Sequence, residues 1–91
     1  MVKCKCYFYS VVAPRTKYHE GPIEFDTAEE ALAYARQLAI DDYMDWEGNY
    51  GVLDVRSFMQ FGFDEEKAYK KYLEYRENRL DYGIERVEED A

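Results

Sequence analysis

Residues 2–12, VKCKCYFYSVV, alternate: Val2, Cys4, Cys6, Phe8, Ser10 and Val12 fall on one side, Lys3, Lys5, Tyr7, Tyr9 and Val11 on the other. A period of two maintained over this length suits a strand and not a helix, and it gathers the more apolar even-numbered side chains on one surface that has to be covered. The chain is therefore obliged to build a sheet with something packed on one face. The Lys/Tyr face is amphipathic and suits water or partial cover. The polar stretch APRTKYHEGP, with Pro14, Gly21 and Pro22, reads as a hairpin connection, and Ile23–Phe25 as a short returning strand.

The cover is supplied by DTAEEALAYARQLAIDDYMDW, residues 26–46. Thr27 and Glu30 have capping-box spacing, and Glu29 and Glu30 complement the positive end of the helix dipole. Ala28, Leu32, Ala35, Ala39, Tyr43 and Trp46 recur at helical intervals, widened by Ala31 and Leu38, and Gly48 and Gly51 bracket the stop. The segment VLDVRSFMQF alternates again and is expected to be a third strand. Asp64 is placed to cap a second helix, EEKAYKKYLEYRENRLDY, packing through Tyr69, Tyr72, Leu73, Arg76 and Leu80. Gly83 weakens that helix, so residues 84–91 are expected to form a last turn or a frayed acidic tail. The expected fold is α+β: a three-stranded, largely antiparallel sheet in the order β-β-α-β-α, with two helices packed on one face, the whole of 1–91 forming a single small acidic domain.

Ninety-one residues with 47% hydrophobic side chains suffice for one modest core. No apolar run has the length needed to span a bilayer, and residues 1–12 lack the apolar stretch and cleavage site of a signal peptide. Cys4 and Cys6, at i and i+2, point the same way from a strand and are poorly placed for a mutual disulfide, which fits a reducing compartment. A soluble, cytoplasmic protein is expected. The net charge of -8 is uneven: residues 1–19 carry +4, residues 20–54 carry -9 and residues 55–91 carry -3. That field disfavours direct contact with nucleic acid or anionic membrane and attracts a basic partner.

Tests for chemistry return little. Cys4, Cys6 and the single His19 lack the paired spacing and fourth ligand of a structural zinc site, so packed cysteines and a loop histidine are expected and no metal or other cofactor is assigned. An EF-hand template started at Asp45 would put Tyr50 at its glycine position and Arg56 at its bidentate glutamate, and fails. Ser10 and Ser57 lie in expected strands, and no nucleophile elbow, Walker loop or dinucleotide-binding turn exists. A non-enzymatic protein is expected.

The segment IDDYMDWEGNYG stands out. Asp41, Asp42 and Asp45 occupy the last turns of the first helix, where the dipole favours cations, and aromatic residues separate the acids. A solvated helix end is one reading. The other is an interface to a basic, nucleic-acid-binding protein, in which the partner-binding residues are Asp41, Asp42, Asp45, Trp46, Glu47 and Tyr50, with Asp54 as a neighbour. In size and charge the chain is similar to the small phage or mobile-element inhibitors that imitate DNA and disable host restriction or CRISPR systems, a similarity of bulk properties and not of motif. Two alternatives stand beside it. One is self-association, with the Lys/Tyr strand as an edge and the tyrosine-rich second helix packed across a two-fold axis to form a homodimer. The other is sequestration of a small anion such as a nucleotide by Arg15, Lys17 and His19.

Overall fold

The structure, a computed structural model, describes residues 1–12, 16–18 and 21–87. Its elements run β1 (Val2–Tyr9), β2 (Thr16–Tyr18), β3 (Ile23–Phe25), α1 (Ala28–Trp46), α2 (Val55–Gln60), α3 (Glu65–Arg79) and β4 (Tyr82–Arg86). The α+β class holds, with an antiparallel sheet and helices packed on it.

β1 is the central strand. Its residues 7–9 pair with β2 and residues 2–4 with β3, while residues 4–8 pair with β4, so β2 and β3 share one edge of β1 and β4 takes the other. The sheet is thus three strands wide, its outer position split between two short pieces. Tyr7 lies opposite Tyr18 and Cys4 opposite Ile23, so the register slips by two between the pieces. The β1–β4 ladder is longer and regular. Beyond the paired strands, Tyr9 N donates to Asp81 O and Val87 N donates to Lys3 O, each at 2.8 Å.

As the alternation predicts, the even-numbered face of β1 is the buried one: Cys4 and Cys6 are each 1% exposed and Ser10 is buried. α1 lies across it. Thr27 caps this helix by accepting from Glu30 N, and Ala31, Ala35 and Ala39 form its sheet-facing stripe. Small residues on both sides let helix and sheet backbones approach closely; the Cys6 thiol donates to Ala31 O at 3.5 Å. This stripe is displaced from the expected one. Ala28 and Leu32 face outward, because the buried line continues through Ile40, Asp42 and Tyr43.

The second half of α1 leaves the sheet and enters another core. Tyr43, Val52, Phe58, Ala68 and Tyr72 form a buried cluster joining α1, α2 and α3, with Trp46, Leu53 and Leu80 packed around it. The Tyr43 hydroxyl donates to Leu53 O, and burial pushes its pKa up to about 12. With extents of 59 × 24 × 15 Å, the molecule is elongated, and its radius of gyration is 15.9 Å against about 12 Å for a compact domain of this length.

Three expectations are corrected. The segment expected to be a third strand is a turn followed by α2: Asp54 accepts from Ser57 N at 2.9 Å while the Ser57 hydroxyl accepts from Asp54 N, a capping box that starts a helix. The third strand is instead β4, so the order is β-β-β-α-α-α-β, and residues 84–86 of the expected tail are paired with β1. Tyr82, Ile84 and Val87 are good strand formers, and Gly83 is tolerated because the Tyr7 ring lies over it, filling the space a Cβ would occupy. β1, finally, is not an edge. Residues 88–91 lie outside the described residues. No helix among the described residues is long and apolar enough to cross a membrane.

Candidate functional site

The acid-rich end of α1 divides into side chains that hold the fold and side chains that face solvent. Asp42 is of the first kind. It is 9% exposed and turned toward the end of β1, where one carboxylate oxygen accepts from the Ser10 hydroxyl and the other from Val11 N, both at 3.0 Å. These bonds satisfy a hydroxyl and an amide at the point where the chain leaves the sheet. Glu47 is a second structural acid. Half-buried at the C-terminal cap of α1, it accepts from the Tyr72 hydroxyl of α3, and Arg76 in turn lies over the Tyr72 ring at 5.4 Å. Burial pushes its carboxyl above the ordinary range, the nearby Asp54 charge adds to this, and Arg76 opposes it. Asp54 caps α2, and the hydrogen bonds from Ser57 hold its carboxyl below the ordinary range.

Asp41, Asp45 and Tyr50 are exposed. Asp41 accepts from Gln37 Nε2 at 2.9 Å, one turn back along the helix. Among the described residues no lysine or arginine forms an ion pair with Asp41, Asp42 or Asp45, in contrast to Glu77, which pairs with Arg36 at 2.6 Å. Trp46 is half-buried against the second core, with its ring centroid 5.4 Å from that of Tyr50 in an edge-to-face contact. Tyr50 is 83% exposed at φ 50, a left-handed conformation unusual for a bulky residue, between Gly48 and Gly51, which also have positive φ. Hydrogen bonds Gly48 N to Val52 O and Val52 N to Asn49 O close this turn and thrust Tyr50 outward.

Four of the expected partner-binding residues meet. Asp41, Asp42, Asp45 and Trp46 line an open groove of about 650 Å³ together with Phe8 from β1 and Leu38 from α1. The lining mixes carboxylates with aromatic and aliphatic side chains and suits a long cationic side chain, whose charge meets the acids while its stem or plane rests on Trp46 and Phe8. Glu47 and Asp54 belong elsewhere, to a separate groove of about 390 Å³ with Arg56, Tyr69, Tyr72 and Arg76. Phe8 and Leu38 were not singled out by the sequence as site residues. Leu38 stands one helical turn before Asp42, and that spacing was the available signal; Phe8 reaches the groove only because β1 lies under α1.

Of the residues expected to bind an anion, Arg15 and His19 lie outside the described residues, and Lys17 is placed by its backbone alone, in β2. Among the described residues no group of three or more His, Cys, Asp or Glu side chains converges to hold a metal ion. Comparison with protein-family models, with curated proteins and with solved structures yields no match.

Proposed function

We propose that this chain is a non-enzymatic binding protein that docks on a basic, nucleic-acid-binding partner through the acidic and aromatic groove at the end of α1, occupying the surface that the partner offers to nucleic acid. The observation carrying the reading is the convergence of Asp41, Asp45 and Trp46 with Phe8 and Leu38 around one open groove, in which the exposed acids have no basic partner among the described residues. Tyr50, packed on Trp46 and fully presented, extends the contact surface as a rigid aromatic anchor. The two free, buried cysteines support action in a reducing compartment, the cytoplasm.

Trp46 is the only tryptophan and lines the groove, so its fluorescence reports occupancy. Titration with an arginine- and lysine-rich peptide from a nucleic-acid-binding arm is expected to perturb that emission and to weaken steeply as salt is raised. The double variant Asp41→Lys, Asp45→Lys should lose the response while keeping its helical circular dichroism, because neither side chain supports the core. Asp42 is left in place, since its removal would damage the end of β1. Unchanged peptide affinity in the double variant would refute the reading, as would failure of duplex DNA to compete for any full-length basic partner bound this way.

A further inference from the structure

A second surface, independent of the groove, is presented by β4. The bonds Tyr9 N to Asp81 O and Val87 N to Lys3 O fix the phase of the β1–β4 ladder, so Asp81, Gly83, Glu85 and Val87 direct their backbone groups at β1 while Tyr82, Ile84 and Arg86 direct theirs away from it. Among the described residues no strand pairs with that outer side. The opposite margin of the sheet is unsuited to extension, being two three-residue pieces whose registers differ by two. β4 is a straight edge, and an unpaired straight edge is a template for another strand.

We propose that the occupant is β4 of a second copy of this chain, joined antiparallel about a two-fold axis at Ile84. That register is self-complementary. Ile84 meets its own copy, and Tyr82 of one chain faces Arg86 of the other, each pair exchanging backbone hydrogen bonds. The charges match locally although the whole molecule carries -8. Glu85 projects from the opposite face, in register with Lys5, leaving Arg86 as the one charged side chain of β4 on the helix-covered face of the seam, where it meets the electron-rich ring of Tyr82. Arg36 of α1 lies near Tyr82, and its charge is matched by Glu77. α1 packs against β4 as well as β1.

Sedimentation equilibrium of the full chain at high micromolar concentration, in salt sufficient to screen its net charge, is expected to give twice the 10.9 kDa chain mass. Ile84→Pro removes an outward amide and no bond to β1, so it should sediment as a monomer with unchanged circular dichroism. In the proposed register the two Ile84 Cα atoms lie about 5.5 Å apart, within disulfide range. Ile84→Cys should therefore cross-link under mild oxidation, and Arg86→Cys, which faces Tyr82 and not itself, should not. A monomeric wild type, an Ile84→Pro variant that dimerises like wild type, or equal cross-linking at both positions would each overturn the proposal. Loss of basic-peptide binding by Ile84→Pro in a monomeric wild type would assign the edge to a partner's strand instead, and overturns it equally.

Discussion

Asp42 shows how one carboxylate at an unfavourable helix position can be retained for tertiary reasons. Helix electrostatics alone make it unfavourable, because it stands near the negative end of the α1 dipole. Its two bonds to Ser10 and Val11 supply what local physics lacks. Asp42→Ala should destabilise the fold by about 1–3 kcal/mol, as expected when buried donors are left unpaired. Asp42→Asn should cost less, since an amide oxygen can still accept from Val11 N and the Ser10 hydroxyl can turn to accept; urea unfolding of both variants measures the difference. Glu47 makes the reverse case. Its carboxyl titrates above the unfolded value, so the folded state binds its proton more tightly and this group's contribution to stability falls as pH rises from the unfolded pKa through the folded one. Glu47→Gln, which keeps an acceptor for Tyr72, should flatten that part of the stability profile and leave the protein at least as stable at neutral pH, as thermal melts across the acid range would show. Neither role was legible in the sequence: acids in a row look alike until the chain places one against an amide and another against a phenol.

At the scale of elements, the parts with two agreeing signals were readable. β1 had alternation and strand formers, and α1 and α3 had caps as well as helical spacing; Thr27 and Asp64 both act as N-caps, Asp64 accepting from Lys67 N. Residues 52–61 had conflicting signals. Ten residues of alternating hydrophobicity suit a strand, yet Asp54 and Ser57 stand at capping-box spacing, and the local hydrogen bonds prevail once Phe58 can enter the core beside Tyr75 and Tyr72. Asp54→Ala should remove about 0.5–2 kcal/mol of stability, the usual worth of an N-cap, and protection of the α2 amides from hydrogen exchange should fall before that of α1. β4 was hidden for a different reason. A five-residue strand beside an acidic terminus has little periodicity to detect, and its partner is separated from it by most of the chain.

Across the whole molecule, α1 serves two cores. Its alanine-lined first half seats on Cys4 and Cys6, and its second half carries Tyr43 into the cluster with α2 and α3, which accounts for the elongated outline. Acidic and aromatic residues gather where the helix passes from one core to the other, because there the groove is walled by sheet on one side and helix on the other. Composition gave the acidity and the aromatic excess, but only the path of β1 beneath α1 brings Phe8 to Trp46. The same path has a consequence for biosynthesis. β1 is made before the other strands and sits in the middle of the sheet, yet the strand that completes its longest ladder is made more than seventy residues later. During translation the nascent β1 can acquire its hairpin partners early, while its other margin waits bare until β4 leaves the ribosome, so closure of the sheet is timed by the arrival of the last strand.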